Sequence, residues 1–113
     1  MTEKFQVEFM PEAVDFIDNL DEKTREKVIY NIQKARFSND KELFKKLKDE
    51  IWEFRTLFNK NHIRLFAFWF KKGKVDTVVI STHGIIKKTG KTPAKEIEKA
   101  ERLRNLYIER NKK

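Results

Sequence analysis

The 113-residue chain contains no cysteine, only two histidines, three glycines and two prolines. Without cysteine there is no disulfide scaffold, no thiolate metal site and no thiol nucleophile. Two histidines make a zinc site an unpromising reading, and no cofactor is expected. No segment approaches the run of about eighteen apolar residues that crosses a membrane. The N-terminus alternates polar and apolar residues instead of placing a basic stretch before an apolar one, so no signal peptide is expected and the default location is the cytoplasm. There is no repeat, low-complexity tract or interdomain linker, and residues 1–113 read as one small domain.

Acidic residues are scarce in one half only. Residues 1–50 hold 10 basic and 12 acidic side chains, whereas residues 51–113 hold 16 and 6, so the net charge of +8 comes from the second half. Between Arg55 and Lys95 ten basic residues face one acid, Asp76. A field concentrated in this way favours a polyanion, with nucleic acid the first candidate and a surface kept basic for solubility the alternative. The basic residues are spread over apparent strands and turns, which disfavours a membrane-surface helix. Ten Phe, two Trp and two Tyr supply bulk for a core, and such a composition is unlike a disordered chain.

Phe5, Val7 and Phe9 alternate with Gln6 and Glu8, the period of a half-buried strand. Pro11 suits the first turn of a helix carrying Ala13, Phe16, Ile17 and Leu20. Asp21 is an N-cap for a second helix reaching about Arg36, buried through Val28, Ile29, Ile32 and Ala35. Leu43, Phe44 and Leu47 suggest a short helical turn. Ile51–Phe58, Ile63–Phe70 and Val75–Ile86 then read as a three-stranded antiparallel meander with four-residue turns. In that register one face gathers Trp52, Phe54, Ile63, Leu65, Trp69, Val78, Ile80 and Thr82, and the other gathers Glu53, Arg55, Arg64, Phe66, Phe68, Phe70, Val79, Ser81 and His83. Thr92 as N-cap and Pro93 at the first helical position open a last helix running to about Arg110. The fold class is α+β: an N-terminal strand and a helical hairpin packed on the small sheet, plus the C-terminal helix.

The chemistry gathers at the junction from His83 to Pro93. Gly90-Lys91-Thr92 imitates the end of a phosphate-binding P-loop, but that motif needs glycine where Ile85 stands. What remains is a set of lysines beside a helix start and a strand face bearing Arg55, Arg64 and His83. Metal-free RNA cleavage needs a proton acceptor for the 2′-hydroxyl, donors for charge building on phosphate oxygens, and an acid for the leaving 5′-oxygen. Arg55 and Arg64 can hold a phosphate in bidentate fashion. Lys87 or Lys88, crowded by other cations, can have a lowered pKa, and His83 can transfer protons with no shift at all. Each residue has a plainer alternative: Arg55 paired with Glu53 or Asp76, His83 as a hydrogen-bonded strand residue, Lys88 and Lys91 as solvated turn lysines. Phe66, Phe68 and Phe70 can stack bases, but packing against the last helix is the favoured reading. His62, in a turn, is given no role.

The order of elements, together with Trp52-Glu53-x-Arg55, Ile63-Arg64-Leu65 and Lys87-Lys88-Thr89-x-Lys91-Thr92-Pro93, resembles the RelE/ParE toxin superfamily. The lysine junction followed by Glu96 and Ala100 resembles its HigB-like, phage-related branch. The resemblance implies a toxin of a two-gene toxin-antitoxin module that cuts messenger RNA in the ribosomal A site. It implies catalytic roles for Arg55, Arg64, Lys87 and Lys88, to which the residue chemistry adds His83. Lys71, Lys72, Lys74, Lys91 and Lys95 are the expected RNA-binding lysines. Ile85 stands where an aromatic is expected, and Ile63 where a tyrosine commonly precedes the arginine. Expected partners are the ribosome with its message and an antitoxin of helix-turn-helix type that presents acidic and apolar groups. Two other functions stay open on this fold: a ParE-like inhibitor of DNA gyrase, and an inactivated RNA-binding relative.

Overall fold

The computed structural model describes residues 3–72, 76–89 and 91–112. Strand β1 (Gln6–Phe9) leads into helices α1 (Pro11–Asp18) and α2 (Glu22–Ala35), which are followed by β2 (Phe44–Lys48), β3 (Ile51–Phe58), β4 (Asn61–Lys72), β5 (Asp76–Lys87) and α3 (Ala94–Arg110). The α+β class holds, but the sheet has five strands in the order β1-β5-β4-β3-β2, where three were expected. The N-terminal strand joins the sheet as a parallel neighbour of β5, and the other pairings are antiparallel. No helix among the described residues is long and apolar enough to cross a membrane.

The second addition, β2, occupies the segment expected to be helical. Phe44 packs with the hairpin-side core and Leu47 with the opposite core. Their spacing of three puts them on opposite faces of a strand, and a register shift between Lys46 and Lys48 adjusts the pairing with β3. The same spacing would place both on one face of a helix, which is why it reads as helical in the sequence.

Both faces of the sheet are covered. Against one lie α1 and α2, with Ala13, Ile17, Val28, Ile32 and Ala35 meeting Phe54, Ile63, Leu65, Ala67 and Val79. Asp21 caps α2 by accepting from the Thr24 amide, as its sequence position predicts. Against the other face lies α3, where Ile97, Ala100, Leu103 and Tyr107 cover Phe66, Phe68, Val78 and Ile80. Tyr107 meets Phe68 and Phe70 edge-on at centroid separations of 5.6 and 5.1 Å. The three phenylalanines are therefore packing residues. Burying Phe66 and Phe68 completely contributes about 2–3 kcal/mol each.

The strand register differs from the expected one in two ways. Between β3 and β4 a two-residue turn, Asn59-Lys60, replaces the four-residue turn, with both residues in the left-handed region at φ 50° and 66°. Phe58 consequently pairs with Asn61 instead of Ile63, a slip of two residues that leaves the face assignment of these strands intact. Between β4 and β5, Phe70 pairs with Val78, not Val75. That odd offset moves Val79 and Ser81 to the hairpin side and Val78 and Ile80 to the α3 side, the reverse of the expected sorting. The turn around Gly73, with Lys74 and Val75, lies outside the described residues.

Candidate functional site

A bulge in β5 brings the site together. Leu65 pairs with Gly84 and Ala67 with Ser81, so Phe66 alone faces Thr82 and His83. The Phe66 carbonyl accepts from Ser81 Oγ at 3.0 Å and Thr82 Oγ1 at 3.4 Å. The extra residue reverses the alternation and turns His83 to the α3 side, where it stacks on Phe66 at 4.8 Å. Ile85 and Lys87 follow on the same face. On the opposite face Gly84 lies under the Phe16 ring, and a Cβ at this position would stand 2.4 Å from the nearest ring atom.

Around this face the predicted residues converge. Arg55 on β3 sits directly opposite Arg64 on β4, Arg64 is opposite Ile85, and Lys87 is opposite His62. Glu53, two residues before Arg55, shares its face. One carboxylate serves both arginines: Oε1 is 3.4 Å from Arg64 Nε and Oε2 is 3.5 Å from Arg55 Nε. Glu53 and Arg64 are 3% and 2% exposed, whereas the Arg55 side chain keeps 25% of its surface. Neither arginine Nε makes a hydrogen bond among the described residues. Arg64 donates through Nη1 to the Ile63 carbonyl at 3.3 Å and its Nη2 lies 3.4 Å from His62 Nδ1, while Arg55 Nη1 donates to the Lys41 carbonyl at 3.4 Å. The alternative pairing of Arg55 with Glu53 is thus realised, within a cluster that includes Arg64.

Lys87 completes it. Its Nζ donates to Thr92 Oγ1 at 2.7 Å, and that hydroxyl donates to Glu53 Oε1 at 3.4 Å. Burial, then the charge of Arg64, pulls the Lys87 amine below its ordinary pKa, with Glu53 opposing and Arg55 adding to the effect. Burial likewise lowers Arg64, against the attraction of Glu53. Thr92 is not the helix cap predicted for it: Pro93 holds the cap position and no side chain caps α3. Its hydroxyl has turned to the sheet.

The other predicted residues separate into groups. His83 is 3% exposed, with Nδ1 3.0 Å from Thr82 Oγ1 and Nε2 3.1 Å from Glu96 Oε1 on α3. Burial lowers its pKa more than the Glu96 hydrogen bond raises it, and the contacts of both ring nitrogens match the plainer reading of a hydrogen-bonded strand residue. Lys88 is exposed and donates to Asn61 Oδ1 at 2.6 Å. Lys91 and Lys95 are exposed in the linker and first turn of α3. Lys71 and Lys72 end β4, and Lys71 lies seven residues from Arg64, about 23 Å along the strand, so Lys71 does not join the cluster; the side chain of Lys72 lies outside the described residues. Lys74 is outside the described residues.

Two participants escaped the sequence reading, and a third residue is a neighbour by register alone. Glu53 was visible there only as a partner for Arg55, although its parity with Arg55 was the available signal. Thr92 was hidden by its resemblance to a cap. Lys45 lies opposite Glu53 on β2, a strand whose pattern reads as helix. No three His, Asp or Glu side chains among the described residues are grouped as metal ligands. The arrangement offers two guanidinium groups side by side, a partly buried amine and exposed lysines nearby. That combination suits a phosphate group carrying developing negative charge.

A family model described as phage derived protein Gp49-like (DUF891) matches residues 15–105. No curated protein matches the chain.

Proposed function

The chain belongs to the phage-derived Gp49-like family, a toxin-like family related to RelE- and HigB-type toxins, and from that premise we propose that it is a ribosome-dependent messenger-RNA endonuclease. As the toxin of a toxin-antitoxin module it has an antitoxin partner, and residues 1–113 act as one toxin domain. The observation that carries the nuclease reading is the pairing of Arg55 and Arg64 across β3 and β4. Like charges directly opposite in a sheet are destabilising. Here a single carboxylate lies between them, and Lys87 adds a third positive charge on the same face. An incoming phosphodiester relieves that excess. An inhibitor that acts by binding alone has no need of such convergence.

In the proposed reaction, Arg55 and Arg64 hold the non-bridging oxygens of the scissile phosphate. The 2′-oxygen forms its bond to phosphorus as the bond to the 5′-oxygen breaks, leaving a cyclic phosphate and a 5′-hydroxyl. The 2′-hydroxyl proton passes to neutral Lys87 Nζ, whose lowered pKa enlarges its neutral fraction; the departing 5′-oxygen takes a proton from water, and the hydroxide so formed recovers one from the Lys87 ammonium, which resets the amine. Lys88, Lys91 and Lys95 hold the flanking backbone, and Lys71 and Lys72 meet nucleic acid farther along the molecule. His83 acts through position, fastening α3 to the bulge through Glu96. The ribosome supplies the substrate alignment, a contribution of several kcal/mol in well-oriented reactions.

Expression of the protein without an antitoxin is expected to arrest bacterial growth, and primer extension should find translated messages cut within their coding regions. Growth arrest with intact messages and altered DNA supercoiling would refute the nuclease and favour gyrase as the target.

A further inference from the structure

Thr92 precedes Pro93 at the start of a helix, where a threonine ordinarily caps, yet its hydroxyl is used elsewhere. A hydroxyl has one proton and two lone pairs. Here the proton is directed to Glu53 and a lone pair receives Lys87, so one oxygen joins groups from β3, β5 and the linker. Glu53 in turn faces the Nε atoms of both arginines. A hydrocarbon of similar shape would leave the linker its backbone path but would sever this connection.

Resting on the nuclease reading, we propose that Thr92 is a positioning residue: its hydroxyl holds the Lys87 amine beside the arginine pair and couples it to Glu53, so that the amine meets the 2′-hydroxyl of bound RNA. With one Lys87 N–H committed to Thr92, the nitrogen's rotation is restricted and its lone pair, when neutral, is turned away from the linker. Among the described residues, the groups near this amine include Glu53 and Arg55 from β3, Arg64 from β4, His62 on β4 as the cross-strand partner of Lys87, and the Thr92 hydroxyl from the linker. Lys88 on its own strand is held by Asn61. The linker thus sets the alignment of a strand residue, which assigns the threonine of the Lys91-Thr92-Pro93 segment a purpose distinct from helix initiation.

The test uses the full chain as Thr92→Val and Thr92→Ser, with Thr92→Ala as a second variant in case valine crowds the linker. One measurement follows the Lys87 side-chain nitrogen by NMR titration, its signal identified by loss in Lys87→Arg. The other is single-turnover cleavage of message on programmed ribosomes, with ribosome affinity measured separately. In Thr92→Val the ammonium loses an acceptor, so the Lys87 midpoint should move further down. The cleavage step should slow by about 10- to 100-fold, the scale of a small misplacement of a reacting group. Ribosome affinity should change little, and Thr92→Ser should restore both the midpoint and the rate. A Lys87 midpoint that is the same in wild type, valine and alanine variants would overturn the proposal. A midpoint that moves as expected in a protein that cuts no message would uphold the Thr92–Lys87 coupling and refute the nuclease reading.

Discussion

Replacing Arg64 by alanine removes a cation that is 2% exposed from a carboxylate that is 3% exposed. Breaking a buried pair by deleting one member costs about 3–5 kcal/mol, because the remaining charge is left in a medium that solvates it poorly. Glu53 keeps Arg55 Nε at 3.5 Å and the Thr92 hydroxyl at 3.4 Å, which places the expected loss near the lower end, about 3 kcal/mol. For a chain of this size that corresponds to a melting point lower by about 12 °C. If Arg64 also holds charge that develops in the transition state, cleavage should fall by about 10²- to 10³-fold when measured cold enough for the variant to be folded. Adding Glu53→Gln to Arg64→Ala separates the two effects. The neutral amide removes the orphaned charge, so much of the stability should return while cleavage does not. Arg64→Lys keeps a charge but not the planar fork and should recover activity only in part. Thermal melting by circular dichroism and cleavage on programmed ribosomes, run on the same preparations, read both quantities. An Arg64→Ala protein that melts within about 3 °C of wild type would refute the buried-pair argument. One that cuts messages at full rate would remove Arg64 from the site.

Two further outcomes are expected. Gly84→Ala should lower stability by about 1–3 kcal/mol, because its Cβ would meet the Phe16 ring, and shortening that ring in Phe16→Ala should reduce the penalty of the second substitution; equal penalties in both backgrounds, measured by urea unfolding, would show that the contact is not responsible. Burial lowers the His83 pKa from 6.5, so the unfolded chain binds this proton more tightly: the stability concerned is fully present above about pH 6.5 and is lost as pH falls through the lowered folded value. Unfolding curves from about pH 7.5 to 5 should be steeper in pH for wild type than for His83→Gln, and parallel curves would refute the assignment.

Local signals were sufficient for several elements. The β3 segment Ile51–Phe58, the Asp21 cap of α2 and the switch from β1 to a helix at Pro11 follow from patterning and backbone chemistry that act within a few residues. The packing of Phe66, Phe68 and Phe70 under α3, and the facing of Arg55 by Arg64, were also legible, because β3 and β4 slipped by an even number of residues and kept their parity. The remainder depended on the sheet being covered on both sides. A half-exposed strand declares its inner face by alternation, but the run Val78-Val79-Ile80 is apolar at every position and fits either orientation. Only pairing with β4 selected one, and only the bulge opposite Phe66 then returned His83 and Lys87 to the face of Arg64. Phe44 and Leu47 were ambiguous for the same reason, since each found a different core. The position of Glu53 between two arginines and the turn of the Thr92 hydroxyl toward it join residues 39 apart in sequence. No local pattern records such a contact, because it exists only once the sheet register and the linker before α3 have brought β3, β4, β5 and Thr92 to one place.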